Sequence, residues 1–148
     1  MASKLTGAEL EKRRKQVEAS ATFGLILICV ALVAPFTSPA DIEYLKVFKW
    51  IYGSGALIYL VARVVDISDP KESPRLKRLR RLEFWAGVAF GIATAFWFIG
   101  EHRHHNDPYV GALAVLWNTI MFTLIGALIQ IVASWLIYSQ NKKDLRNN

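Results

Sequence analysis

Cysteine is nearly absent from this chain: Cys29 is the single thiol among 148 residues. One cysteine cannot close an internal disulfide or build a zinc-thiolate or dithiol redox centre, so those chemistries are excluded within one chain. No Asn-X-Ser/Thr sequon occurs. Charge is missing from long stretches. The segments 19–36, 50–62, 84–100 and 109–140 are apolar and carry no Asp, Glu, Lys or Arg. They contain no acidic pair, unlike a typical proton-coupled carrier, and no catalytic triad is visible. The sequence therefore reads as non-enzymatic, with no cofactor.

What fills those stretches is hydrocarbon. A bilayer core about 30 Å thick needs about 20 helical residues to cross it, and backbone groups in lipid must be satisfied within the segment. Each stretch is read as a helix, giving an all-α four-helix transmembrane bundle. The second is the weakest span, since only residues 50–62 lack charge. Lys46 and Lys49 at one end and Arg63 at the other are expected to snorkel and lengthen it. Phe48, Trp50 and Tyr52 supply an aromatic belt there. The fourth stretch has no charge from Tyr109 to Asn141, about 45 Å of helix, so it must tilt or project.

The basic residues set the orientation. Fifteen of the eighteen Lys and Arg fall in the N-terminal arm, the middle loop with its flanks, and the tail; Lys46, Lys49 and Arg103 fall elsewhere. The positive-inside rule then puts both termini and the middle loop in the cytoplasm. The formal net charge of +6 is read as topology facing anionic lipid headgroups. Without an aromatic-basic platform outside the membrane, no nucleic-acid partner is expected.

The chain is expected to form one integral membrane domain over residues 1–148: an amphipathic arm (1–18), a first helical hairpin (19–66), a basic loop and helix (67–82), a second hairpin (83–140) and a tail (141–148). Ser38-Pro39-Ala40 imitates a signal-peptide cleavage site, but the long arm with Glu9, Glu11 and Glu18 argues for retention. Thr6 and Glu9 fit a capping box, and Glu9–Arg13, Glu11–Lys15 and Arg14–Glu18 are i,i+4 pairs. Ser73-Pro74 and Asp107-Pro108 each read as N-cap and first helical residue. The run RLKRLRRLEFW follows Pro74 without a breaker, so the third helix should project beyond the membrane by two turns.

Residues 55–62, GALIYLVA, match residues 126–133, GALIQIVA. Both lie in the second helix of a hairpin, and Glu18 and Glu83 precede the first. This points to a parallel two-helix repeat with its axis along the membrane normal.

Several residues invite a functional reading. Gly87, Gly91 and Ala95 recur every four residues, as where helices approach closely, and Gly55 and Gly126 belong to the same small-residue class. Packing inside the bundle is the plainer use; a homodimer seam is the other. Thr119, Thr123, Gln130 and Ser134 share one arc of the fourth helix. They line either a hydrated path or a helix interface. Asn118 lies off that arc. Arg75, Lys77, Arg78, Arg80 and Arg81 are expected to contact anionic lipid or an acidic partner. Glu83 sits beside them, where ion pairing is the ordinary outcome. His102, His104 and His105, with Glu101 and Asp107, are the one group with metal-ligand chemistry, but a short exposed loop does not pre-organise ligands.

RLKRLRRLEFW together with GALIQIVAS resembles small uncharacterised bacterial inner-membrane proteins. The resemblance implies a bacterial cytoplasmic membrane and no particular activity. The chain does not resemble the small drug exporters, whose first helix carries a membrane-embedded glutamate. The leading expectation is an accessory or assembly subunit of a membrane complex; the second is a small oligomeric transporter or channel with a polar path along the fourth helix. Protein purified without a histidine tag is expected to hold no stoichiometric metal by elemental analysis. A stoichiometric metal lost on His104→Ala would overturn that expectation.

Overall fold

The computed structural model describes residues 6–37, 42–67, 73–103 and 108–147, nearly all of them helical and none in a strand. In chain order the helices are α1 (Gly7–Thr37), α2 (Ile42–Ile67), α3 (Pro74–Arg103) and α4 (Pro108–Asn147). All four are long and apolar enough to cross a membrane. Histidines 104 and 105 lie outside the described residues, as does the side chain of His102.

Local chemistry explains two helix starts. The Thr6 backbone N–H donates to Glu9 Oε2 at 2.9 Å and the Thr6 hydroxyl to the same oxygen at 3.0 Å, while the Thr6 carbonyl accepts from Leu10 N–H at 3.1 Å. Glu9 thus satisfies an N–H that has no helical acceptor, as the carboxylate of a capping box does. At α3, Ser73 Oγ accepts from Leu76 N–H at 3.3 Å, and Pro74 occupies the first helical position, where a missing N–H costs nothing. α3 then runs unbroken through RLKRLRRLEFW to Arg103.

Successive helices pack antiparallel: α1 on α2, α2 on α3 and α3 on α4. Side chains from α2 also reach α4. The centre holds Tyr52, Tyr59, Phe90 and Trp97 among alanines 21, 31, 56, 62, 86 and 93. The Tyr59 and Phe90 rings meet edge to face with centroids 5.5 Å apart. Outside, Phe23, Val33, Trp50, Leu57, Trp85, Leu128 and Trp135 are exposed. An outer surface this apolar is solvated by hydrocarbon more readily than by water.

Glycine sets how closely helices approach at particular places. A Cβ on Gly24 would lie 2.7 Å from the Gly55 carbonyl oxygen, and one on Gly55 would lie 2.8 Å from the Gly24 carbonyl oxygen. Backbones therefore meet along α1–α2, as small residues permit where lipid supplies no hydrophobic drive. Gly87 sits under Leu60 and Tyr59, and Gly126 lies against the Phe90 ring. Gly91 differs: nothing lies within 4 Å of an added Cβ. Ala95 is exposed. Among the described residues, Gly87 is the member of that four-residue series that packs under another helix, because an i+4 ridge drifts round the helix axis and leaves the contact.

Gly55→Ala should force α1 away from α2 and lower unfolding free energy in detergent by about 1–3 kcal/mol. Gly91→Ala should be neutral or stabilise by about 0.5–1 kcal/mol, the helix-propensity gain. The reverse ranking in a denaturation series would contradict this packing.

Candidate functional site

Four charged side chains are buried together where α2 ends and α3 begins: Arg63, Asp66, Arg80 and Glu83. Each helix contributes one cation and one anion three residues apart. Because the helices are antiparallel, the order inverts across the seam, so Arg63 meets Glu83 and Asp66 meets Arg80. Arg63 Nη1 lies 2.9 Å from Asp66 Oδ2 and 3.1 Å from Glu83 Oε2. Arg80 Nη1 lies 3.3 Å from Asp66 Oδ2 and 3.9 Å from Glu83 Oε2. Two positive and two negative charges cancel within the cluster.

The contacts are not of one kind. Arg63 donates a hydrogen bond to Asp66, and Arg80 donates a longer one. Glu83 Oε2 is close to both cations, yet no donor aligns with it, and Arg63 Nε has no acceptor. The Glu83 attraction through that oxygen is mainly Coulombic. The Arg63 guanidinium also stands 5.2 Å from the centroid of the Tyr59 ring, a cation–π contact.

α4 joins through Gln130. Its Nε2 donates to Glu83 Oε1 at 3.4 Å and to Ser134 Oγ at 3.1 Å. Tyr59 donates its hydroxyl proton towards Gln130 Oε1, with the Glu83 carbonyl oxygen a second acceptor at 3.3 Å. Both Gln130 amide hydrogens and its carbonyl oxygen thereby have partners. Further along the bundle, Thr123 Oγ1 donates to the Thr119 carbonyl at 2.6 Å and receives the Tyr52 hydroxyl, also at 2.6 Å. Thr119 Oγ1 in turn donates to the Ala93 carbonyl at 3.4 Å.

The structure thus brings Thr119, Thr123 and Gln130 against α2 and α3, where they bond across helices. Ser134 is exposed, as is Asn118. Arg75, Arg78 and Arg81 are exposed and Lys77 is half-buried, whereas Arg80 leaves the surface set and lies at 2% exposure inside the cluster. Arg63, read from sequence as a snorkelling cation, is equally internal. Tyr52, read from sequence as part of an aromatic belt, is instead fully buried and bonds to Thr123, because its hydroxyl finds a partner on α4; Asp66 and Tyr59 join the network without having been singled out. One signal for them exists in the sequence: Arg-X-X-Asp before the middle loop and Arg-X-X-Glu after it, complementary once the chain turns back. Among the described residues no group of three or more His, Cys, Asp or Glu stands close enough to hold a metal ion.

Both hydroxyl and amide pairs between α2 and α4, Tyr52–Thr123 and Tyr59–Gln130, join residues 71 positions apart. The same offset aligns GALIYLVA with GALIQIVA.

Comparison with family models, with curated proteins and with solved structures finds no match to this chain.

The cluster predicts a characteristic double-mutant cycle. Arg63→Met leaves two buried carboxylates facing one cation and should cost about 3–5 kcal/mol in unfolding free energy. Glu83→Met should cost a similar amount. The double variant should lose clearly less than the two costs added, because it removes the pair without stranding a charge. Additive losses would mean that water already screens the site.

Proposed function

We propose that this chain is a multi-pass protein of the bacterial inner membrane, with both termini cytoplasmic, acting as a non-enzymatic accessory or assembly subunit of a membrane complex. The carrying observation is that, among the described residues, the inward hydroxyl and amide side chains of α2 and α4 are bonded to one another or to backbone carbonyls. Gln130, Tyr59, Tyr52, Thr123 and Thr119 all have partners within the chain. A solute path needs polar groups turned towards water, and these are turned towards neighbouring helices. What remains for interaction is the apolar outer surface and the charged helix ends, which suit lipid and a protein partner in the bilayer.

The orientation rests on the basic residues. In this reading the charge cluster sits at the cytoplasmic end of the bundle, and the exposed Arg75, Arg78 and Arg81 lie beyond it. A parallel two-helix repeat is supported by the two hydrogen-bonded pairs 71 residues apart. Equivalent residues touch in a parallel helix pair when a two-fold axis runs between them.

A second reading, a small oligomeric transporter or channel, draws on one feature. The Gln130–Ser134 pair reaches the outer surface of α4, where a second copy would place polar groups side by side.

Two experiments separate these readings. Affinity capture in mild detergent with mass measurement should recover a heteromeric assembly. A homo-oligomer alone would sink the accessory reading and favour the second. For topology, cysteines replacing Asp41, Ser73 or Asn106 in a Cys29→Ala background meet an impermeant thiol reagent in intact cells. Positions 41 and 106 should label, and position 73 only after permeabilisation. Labelling of position 73 in intact cells overturns the orientation.

A further inference from the structure

We infer that the outward face of the first turns of α3 binds the phosphate of an anionic phospholipid headgroup, through Arg78 and Arg81 with Trp85 beside them. This rests on the orientation and membrane placement proposed above, and narrows a general basic surface to a particular site.

The five basic residues of RLKRLRR are not equivalent. Arg80 is turned inward and offset by Asp66 and Glu83. Lys77 is half-buried, and Leu76 beside it anchors the turn in the core. Arg78 and Arg81 remain exposed, and neither is paired with a described acidic side chain. No acidic residue occurs from Ser73 to Leu82. Among the described residues, no acidic side chain offsets the two guanidinium groups.

Their direction decides the partner. Arg78, Arg81 and Trp85 stand at i, i+3 and i+7, one side of a helix. Exposed Ile92, Phe96 and Ile99 continue that side along α3, while Leu76, Glu83, Ala86 and Phe90 occupy the buried side. The arginines thus point where the apolar exterior of the bundle points. A protein docking from the aqueous side would meet the helix end, whereas these side chains share a face with groups that hydrocarbon solvates. Tryptophan favours the headgroup level of a bilayer, so Trp85 sets that level about one turn from Arg81. At that depth the abundant anion is phosphate. A guanidinium fork binds two phosphate oxygens at once, which an ammonium cannot do. The indole offers its flat apolar body to the first carbons of the acyl chains.

The test uses the full chain, extracted in mild detergent and exchanged into nanodiscs of phosphatidylglycerol or phosphatidylcholine. Lipid retained after a delipidating wash is counted by native mass spectrometry. The parent should retain phosphatidylglycerol at about one per chain and little phosphatidylcholine. Arg78→Gln with Arg81→Gln should reduce retention about thirtyfold, given two lost surface charges. Arg78→Lys with Arg81→Lys should recover only part of it. Lys142→Gln with Lys143→Gln removes equal charge from the exposed tail and should change nothing. Equal loss in the tail variant would mean diffuse attraction and overturn the site. So would equal retention of both lipids, no retained lipid, or loss of a co-purifying protein rather than lipid in the arginine variant. Resistance to carbonate extraction, measured alongside, separates these failures from failure of the membrane placement itself. The parental melting temperature of the variants in phosphatidylcholine separates them from misfolding.

Discussion

A guanidinium at the end of an apolar helix has two outlets: water, or an anion held in place by another helix. Arg63 takes the second, and much of the bundle is arranged by that choice. Removing such a charge from water costs several kcal/mol before any pairing offsets it. The cost is met only where a carboxylate stands at hydrogen-bond distance. The Arg63–Asp66 contact lies within α2 and holds no other helix; the Arg63–Glu83 and Asp66–Arg80 contacts do, because Glu83 and Arg80 belong to α3. The inverted order of charges then fixes how α2 and α3 slide. A shift of about one turn in one direction would bring Arg63 level with Arg80, and in the other direction Asp66 level with Glu83; either sets like charges together. Apolar packing alone tolerates such slips more readily. The cluster is thus better understood as a register device than as a large net source of stability.

The other seams use different physics. α1 meets α2 through Gly24 and Gly55, where backbones come close enough that neither position admits a Cβ without displacement. That seam depends on shape and dispersion, which fall off steeply with separation. α4 is attached to α3 by Phe90 against Gly126 and to both neighbours by Gln130. Each amide hydrogen and the carbonyl oxygen of Gln130 has a partner, which makes it costly to move: any shift of α4 breaks several bonds at once. Polar residues inside an apolar bundle here restrict its geometry.

Much of the helical framework was legible in the sequence because it depends on local chemistry. Thr6 with Glu9, Ser73 with Pro74 and the charge-free runs each act within a few residues of chain, and all leave their mark on the four helices. The cluster was harder to read. A cation flanking an apolar run snorkels in most contexts, and nothing within α2 alone distinguishes Arg63 from such a cation. Its burial depends on Glu83 across a turn of chain. Arg80 is similar: four basic neighbours suggest a surface, yet only its position on the same side as Leu76 and Glu83 turns it inward. Gly91 was opaque for a geometric reason. A four-residue period is longer than a helical turn, so a ridge that starts in contact at Gly87 leaves it one step later.

The likeness between the two hairpins also ends at charge. Tyr52 and Thr123, like Tyr59 and Gln130, occupy matching positions in parallel helices and bond to each other. Gly55 and Gly126 both accept a close neighbour. The odd-numbered helices differ. Glu18 is exposed on α1, while Glu83, its counterpart by context, is buried on α3 with Arg80. Among the described residues, it is α3 that presents buried ionic groups to Arg63 and Asp66. An uncharged helix in that place would leave both α2 side chains without interhelical partners. This difference gives a physical reason for α3 to stand between α2 and α4 and for α1 to pack on the far side of α2. Two helices with similar apolar alphabets are sorted by the few ionisable groups that they present.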